Sequence, residues 1–294
     1  MSEERDTLSS RVRRIAKSVA LGWVARRGSS EQDTLSSAAL RVMKIGLSPG
    51  LKGGYEGGAK AACCISVDFD VTRAERHSWN HSGTAALLSL SEAHGIPLTW
   101  AICGKTAEED PSAYHSILDS SVRQEIGVHT YSHIYADERT ESEYEEDIRR
   151  CISTLGLSSP PRSFVFPKNR EGHFDLLKRM GFTSYRGALR AIGAPVEHQG
   201  LWNIRPVYYV DQKSLGAAPL IRKFIDACIA RSAVFHLWTH PWCLAIDGKP
   251  DAMVSEAMEP VFAYMEEKGR AGLLSFSTMG GLSSFAASHG GQLA

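Results

Sequence analysis

Two aspartates and three histidines stand at spacings that suit metal-dependent hydrolysis. Asp68 and Asp70 end an apolar run and are two residues apart, so on a strand they point to the same face. His129 and His133 are four residues apart at the end of a second run, and His240 ends a later one. One carboxylate and two histidines offer three ligands to a metal and leave a fourth position for water, which is the arrangement of a catalytic zinc site.

Each feature also has an ordinary structural explanation. An aspartate at a strand end often caps the next helix, a His-x-x-x-His pair alone is only suggestive, and a lone histidine such as His240 is commonly a hydrogen-bonded surface residue. The conjunction favours chemistry, because a second carboxylate can accept a proton from the bound water and His240 can donate one to a leaving group. His236 is expected to orient a neighbour or to be a satisfied core residue rather than a ligand.

From residue 61 onward, apolar runs alternate with segments of helical periodicity. Strands are predicted at 63–70, 97–103, 124–130, 163–167, 183–187, near 202–210, at 233–240 and at 272–278, and helices at 84–94, 141–155, 174–180, 220–230 and 253–268. Seven or eight β/α units of this length favour an α/β barrel over an open sheet. Catalytic groups in such a fold lie at the carboxyl ends of the strands, which is where the aspartates and histidines stand.

The first 60 residues differ from the rest of the chain. They carry 11 basic and 6 acidic side chains, and Asp-Thr-Leu-Ser-Ser at 6–10 recurs at 33–37. The pattern predicts two short basic amphipathic helices followed by a Gly-rich linker at 47–60, and residues 61–294 form the predicted barrel domain. Such helices either pack on the barrel or a partner subunit, or lie peripherally on an anionic membrane, for example to reach a lipid-linked saccharide.

The composition excludes several classes of protein. The 33 basic side chains balance the 33 acidic ones and 43% of the 294 residues are hydrophobic, so neither disorder nor nucleic acid binding is indicated. No run of apolar residues is long enough to span a bilayer. The six cysteines lack metal-binding or disulfide spacing, so they are predicted to be reduced core residues of a cytoplasmic protein. The alternative localisation is peripheral, at the inner face of the membrane.

These residues, in this order, resemble the polysaccharide deacetylase family, also known as carbohydrate esterase family 4 or the NodB-homology domain. The resemblance spans roughly residues 61–280 and rests on the Asp-Phe-Asp at 68–70, the His-Thr-Tyr-Ser-His at 129–133, the strand end at Pro167, and His240. It implies a distorted (β/α) barrel, usually of seven strands, with one divalent metal ion, for which zinc is expected although other divalent ions fit. By position, the implied metal ligands are Asp70, His129 and His133, with Asp68 as general base and His240 as general acid.

The third motif of the family departs from the usual pattern here. An arginine normally stands next to the base, whereas the matching position is Val165, followed by Phe-Pro-Lys-Asn. Arg162 stands three residues too early to replace it, and Lys168 is the other source of positive charge considered. The backbone N–H near Lys168 is expected to donate to the oxyanion. The residues expected to line the substrate pocket are Pro167, Lys168, Asn169, His173 and Trp238, the last of which is equally consistent with core packing.

The resemblance implies a metal-dependent hydrolase that removes an N-acetyl or N-formyl group from an amino sugar or glycan precursor, with metal-bound water as nucleophile. Two alternatives stay open. One is a hydrolase of another non-peptide C–N bond, such as a cyclic amide or formamide, and the other is a saccharide-binding relative without activity. The expected partner is a saccharide or amino sugar, and the chain could also form a homo-oligomer.

Overall fold

The structure is a computed structural model that describes residues 44–70 and 76–289. The two predicted N-terminal helices and their repeat lie outside the described residues, so they stay predictions. The strands are β1 Gly46–Leu47, β2 Ala61–Phe69, β3 Thr99–Ile102, β4 Glu125–Val128, β5 Ser163–Val165, β6 Ser184–Arg186, β7 Ala191–Ile192, β8 Val196–His198, β9 Leu201–Asn203, β10 Tyr208–Val210, β11 Val234–Thr239 and β12 Leu274–Phe276.

The helices surround one large sheet. They are α1 His77–His94, α2 Gly104–Glu109, α3 Pro111–Leu118, α4 Glu141–Leu155, α5 Phe174–Arg179, α6 Ala218–Ala230, α7 Asp251–Met253, α8 Glu259–Arg270 and α9 Met279–Ser288. The sheet runs in the order β10-β11-β2-β3-β4-β5-β6-β9-β8, with β12 also pairing with β2. All its pairs are parallel except β8 with β9. The predicted α/β fold with a distorted barrel is confirmed.

The central strand β2 determines where polar side chains enter the barrel. Every residue of β2 is buried, as expected for a parallel strand covered on both faces. Odd-numbered residues such as Ile65 and Phe69 join the main core cluster, whereas Ala62 and Cys64 join a second cluster. Because side chains alternate along a strand, Asp68 continues the second face, which changes from apolar to polar toward the carboxyl end.

Residues 45–59 pack against the sheet. The strand β1 pairs with β7, and Leu51 and Tyr55 are buried in the second core cluster. Leu51 N donates to Ser232 O, and the Tyr55 hydroxyl donates to the same carbonyl. The stretch predicted as a Gly-rich linker therefore contacts the barrel at several buried positions, and the boundary predicted at residue 60 stays a prediction.

Several elements differ from the sequence-based expectation. The helix predicted at 84–94 begins at His77, and the region around the single strand predicted near 202–210 forms four short strands, β7 to β10. The helices α2, α3 and α9 were not predicted, since α2 and α3 are too short to show clear periodicity. The α1 helix approaches the turn Pro241–Leu244 so closely that a Cβ on Gly83 would lie 2.0 Å from the Pro241 carbonyl oxygen. Among the described helices, none is both long and apolar enough to cross a membrane.

Candidate metal centre and active site

The sheet order brings the predicted catalytic residues into one pocket. Asp68 stands near the end of β2, His129 directly after β4 and His240 directly after β11, and these strands lie within four neighbouring positions of the sheet. The pocket has a volume of about 250 Å³. Its lining includes the predicted residues Asp68, Asp70, His129, His133, Lys168, Asn169, Trp238 and His240.

Asp70, His129 and His133 form a group with the chemistry of a metal site. The Oδ2 atom of Asp70 lies 3.0 Å from Nε2 of His133 and 3.6 Å from Nε2 of His129. One ligand atom from each residue lies within 4.8 Å of the others. The other carboxylate oxygen of Asp70 accepts a hydrogen bond from Trp242 Nε1 at 3.2 Å, which orients Oδ2 toward the histidines. One carboxylate and two imidazoles are a donor set that zinc and related divalent ions accept.

The ring of His129 is oriented by a backbone carbonyl. Its Nδ1 lies 2.8 Å from the Val165 oxygen, so the proton is on Nδ1 and the lone pair of Nε2 is left toward Asp70. Such a bond is typical of metal-binding histidines, because it fixes the tautomer and the ring plane. Val165, where the family arginine is absent, therefore contributes to the site through its main chain.

The loop between the two histidines is held by helix α4. Thr130 and His133 both have left-handed backbone angles, with φ of 61° and 57°. The carboxylate of Asp147 accepts hydrogen bonds from Tyr131 N at 2.6 Å and from Ser132 N at 3.2 Å. These hydrogen bonds offset the energetic cost of a backbone conformation that non-glycine residues rarely adopt. No sequence motif indicates the role of Asp147.

The positive charge next to Asp68 comes from a strand that was not considered. Arg186, at the end of β6, places Nη2 at 2.5 Å from Asp68 Oδ2, and both side chains are almost fully buried. In the ladder between β5 and β6, Arg186 is the direct partner of Val165. The positive charge therefore reaches Asp68 from the strand next to β5, and neither the exposed Arg162 nor Lys168 makes this ion pair. Burial alone would raise the pKa of Asp68, but Arg186, His129 and His240 outweigh it, so the pKa lies below its ordinary value.

A neutral histidine stands behind this ion pair. Arg186 Nη1 donates to Ser66 Oγ at 2.8 Å, and Ser66 Oγ lies 2.8 Å from Nε2 of His236. The Nδ1 of His236 lies 2.9 Å from the Ile204 carbonyl oxygen. Burial and the charge of Arg186 lower the pKa of His236 to about 3, so the ring is neutral at physiological pH. His236 is a satisfied core residue that positions its neighbours, as the sequence suggested.

His240 lies across the pocket from the histidine pair. Its Nε2 is 3.8 Å from Asp68 Oδ2 and 3.7 Å from Asp70 Oδ2, and its Nδ1 is 3.2 Å from the hydroxyl of Tyr209. Burial, which outweighs the two carboxylates, lowers its pKa. Tyr209 was not among the predicted site residues, because its contact with His240 depends on the pairing of β10 with β11. The ring of Tyr209 stacks on Trp238 at 4.1 Å, so Trp238 has a packing role and its sugar contact stays a prediction.

The turn Pro167–Asn169 forms another part of the pocket wall. Lys168 and Asn169 have φ of 54° and 55°, and both line the pocket. The Asn169 Oδ1 atom is buried without a hydrogen-bond partner in the described chain. Pro167 is buried and begins the turn but is not among the lining residues. The expectation that His173 lines the pocket is wrong, since it packs on Tyr144 and its Nε2 contacts the Arg139 carbonyl.

The chain is similar to known proteins in sequence and in fold. Residues 59–182 match the family model described as Polysaccharide deacetylase. A Mycobacterium smegmatis structure assigned as a polysaccharide deacetylase matches with a TM-score of 0.62 and 17% identity, covering 82% of this chain and 96% of that one. A similarly assigned structure from Pseudomonas aeruginosa PAO1 matches with a TM-score of 0.64 and 12% identity, covering 82% and 95%.

A third solved structure has a different name. The allantoinase PuuE matches with a TM-score of 0.62 and 13% identity, and the match covers 91% of this chain and 100% of that one. At such identities the likeness shows the fold alone. No curated protein sequence matches the chain.

Proposed function

We propose that the chain is a metal-dependent hydrolase that removes an N-acetyl or N-formyl group from an amino sugar or glycan precursor, because residues 59–182 match the family model described as Polysaccharide deacetylase. The observation that carries the proposal is the grouping of Asp70, His129 and His133 beside a second buried carboxylate, with His240 facing both carboxylates. Three ligands, a base and an acid are the groups that this hydrolysis requires.

Asp70, His129 and His133 would hold one divalent ion, and zinc suits their nitrogen and oxygen donors. When bound, such an ion polarises a carbonyl group and makes water a stronger acid. Two of the three proposed ligands are already oriented by hydrogen bonds, because the Val165 carbonyl fixes the tautomer of His129 and Trp242 fixes the carboxylate of Asp70.

Asp68 is suited to take the proton from the attacking water. Its Oδ2 atom is engaged by Arg186, while its Oδ1 atom is buried and has no hydrogen-bond partner in the described chain. An unpartnered buried acceptor is costly, and a water molecule donating to Oδ1 would satisfy it. Arg186 holds the carboxylate in place and keeps it ionised, which a base must be before it accepts a proton.

His240 is suited to protonate the leaving amine from Nε2. The hydroxyl of Tyr209 contacts Nδ1 and fixes the ring plane, so that Nε2 faces the pocket. The two carboxylates near Nε2 stabilise the protonated ring during the step that needs it. Without a proton at the nitrogen, cleavage of the C–N bond would expel a poor leaving group. The Lys168 N–H remains the proposed oxyanion donor, with Asn169 and Trp238 as proposed substrate contacts.

A second candidate is the hydrolysis of another small non-peptide C–N bond, such as that of a cyclic amide or a formamide. The observation in its favour is the size of the pocket, about 250 Å³, which suits one small ring better than a polymer chain. A saccharide-binding relative without activity is less favoured, because all five proposed ligand, base and acid residues are present and grouped.

The test is a panel of N-acetyl and N-formyl amino sugars with allantoin as a cyclic amide, assayed for released amine, acetate and formate. Asp68→Asn should retain metal while turnover of the best substrate falls by about 10²–10⁴-fold, because only the base is removed. Asp137→Asn, an exposed aspartate paired with Arg170, is the matched control and should retain wild-type turnover. Near-normal turnover by Asp68→Asn, or no turnover of any panel member by metal-loaded wild type, would reject the proposal.

A further inference from the structure

Two cationic side chains line the pocket without contributing to the ligand, base or acid groups. Arg76 stands just before α1, and Lys168 lies in the turn after β5, so they come from parts of the chain far apart in sequence. Both line the same pocket of about 250 Å³ as Asp68 and Asp70. Neither makes an ion pair with a carboxylate of residues 44–70 or 76–289.

Arg76 is held against an aromatic ring that also lines the pocket. Its Cζ atom lies 3.9 Å from the centre of the Trp242 ring, so the guanidinium is supported by a cation–π contact. Trp242 is itself fixed, because its Nε1 donates to Asp70 and its ring lies 4.5 Å from that of His240. Among residues 44–70 and 76–289, no acceptor is hydrogen-bonded to the Arg76 guanidinium, and its planar set of N–H donors suits bidentate recognition of an oxyanion.

The pocket wall formed by the turn after β5 offers complementary groups. Lys168 is exposed and carries a point charge on a flexible stem, and Asn169 next to it has a buried, unpartnered Oδ1. A lysine ammonium can bind either a phosphate or a carboxylate, because it is a point charge. The unpartnered Asn169 oxygen would accept a hydrogen bond from a hydroxyl or N–H group. A sugar with an anionic substituent offers both kinds of partner.

Both carboxylates of the pocket are offset by positive charge without Arg76 and Lys168. Arg186 neutralises Asp68 through a buried ion pair, and Asp70 belongs to the group that would hold a divalent cation. Two further positive charges therefore leave the pocket with an excess of positive charge. In a partly enclosed pocket such an excess favours an anionic ligand.

We infer that the substrate carries an anionic group, a phosphate or a carboxylate, which Arg76 and Lys168 bind while the amide lies between Asp68 and His240. This inference rests on the proposed function for the position of the amide. It narrows the substrate from amino sugars in general to an acylated amino sugar that bears, or is joined to, an acidic group. Arg76 and Lys168 are then specificity-determining residues.

The test measures binding with sugars that lack an amide, so that no turnover is needed. Glucose is the neutral probe, glucose 1-phosphate and glucose 6-phosphate carry phosphate, and glucuronate carries a carboxylate. Titration calorimetry of the metal-loaded wild type should show at least one anionic probe binding about tenfold more tightly than glucose, with the difference shrinking as salt is added. The tighter class of probe, phosphate or carboxylate, identifies the acidic group.

Arg76→Gln and Lys168→Gln should each reduce that preference several-fold, and the double variant should abolish it. Arg76→Lys should retain part of it, and Arg162→Gln, an exposed arginine outside the pocket, is the matched control and should retain all of it. Equal binding of glucose and every anionic probe, or a preference that persists in the folded double variant, would overturn the inference. If the anionic probes bind as expected but no N-acetyl or N-formyl sugar is hydrolysed, the proposed function fails and the anion site stands.

Discussion

The two sides of the pocket are built in different ways. The side formed by β2, β4 and β6 holds charges that contact one another, such as Asp68 with Arg186 and Asp70 with His133, and these side chains are largely buried. The other side holds Arg76 and Lys168, which have no carboxylate partner among the described residues. Charges buried together must be matched for the protein to fold, whereas unmatched charges at the solvent boundary cost little. The paired side therefore serves stability and chemistry, and the unpaired side is free to select a ligand.

The largest effect on stability is expected from breaking the pair on the first side. Arg186→Met would leave the Asp68 carboxylate buried without a cation, at a cost of about 3–5 kcal/mol in the free energy of unfolding. Urea denaturation measures this change. Arg162→Met is the matched control, because Arg162 is exposed, and it should change stability by less than about 0.5 kcal/mol. If Arg186→Met were as stable as wild type, the ion pair would have no structural importance.

A somewhat smaller effect is expected from Asp147→Ala. It removes the acceptor for the N–H groups of Tyr131 and Ser132, at a cost of about 1–3 kcal/mol, and loosens the loop that carries His133. Metal affinity should fall by about 10–100-fold, as is typical when the support of a ligand is lost. Competition with a chelating dye measures the affinity. Glu146→Ala on the same helix is exposed and should bind metal like wild type.

The pH dependence of stability tests the neutral state of His236. Because the pKa of His236 is lowered to about 3 in the folded chain, the unfolded chain binds the proton more readily as the pH falls below about 6.5. The contribution of neutral His236 to the free energy of unfolding is therefore fully present above that pH and is lost as the pH falls toward 3. Between pH 7 and pH 5 this contribution should decrease by about 2 kcal/mol.

His236→Gln cannot be protonated, so it should lack this component of the pH dependence. Urea denaturation of both proteins at pH 5, 6 and 7 measures it, and the stability difference between them should shrink toward pH 5. A constant difference over this range would mean that His236 does not titrate between the folded and unfolded states in this way.

The smallest effect on stability belongs to the unpaired side. Arg76→Gln removes a cation–π contact and Lys168→Gln removes an exposed charge, so each should change the free energy of unfolding by less than about 1 kcal/mol. The same urea denaturation measures these changes. A loss near that of Arg186→Met would show that these cations support the fold and would remove the contrast between the two sides.

The paired side was largely predictable from the sequence. Asp68 and Asp70 stand two residues apart at the end of a buried strand, and the histidines stand four residues apart after another strand, so both patterns lie within short segments. The helix predicted at 141–155 has the same bounds in the structure, because Thr140 and Glu143 form a capping box and Gly156 ends the helix in a left-handed conformation. Signals of this kind are local, so one stretch of sequence contains all of them.

The remaining site residues depend on contacts between distant segments. Arg186 reaches Asp68 because the register of β5 and β6 pairs it with Val165, and Tyr209 reaches His240 because β10 pairs with β11. Which residues of two neighbouring strands lie opposite each other cannot be read from a single amino-acid sequence. One signal was available, since Arg186 is a charged residue in the strand predicted at 183–187, and a charge on a parallel strand covered on both faces requires a partner.

The measurement that tests the central proposal most directly is the metal content of purified wild type, His129→Ala and His133→Ala, together with turnover of the best panel substrate before and after chelation. We expect one divalent ion per chain in the wild type, little or none in either variant, and turnover that disappears with chelation and returns when zinc is added, because a site with three protein ligands cannot lose one. Stoichiometric metal in either variant, or full turnover by metal-free wild type, would contradict the proposal.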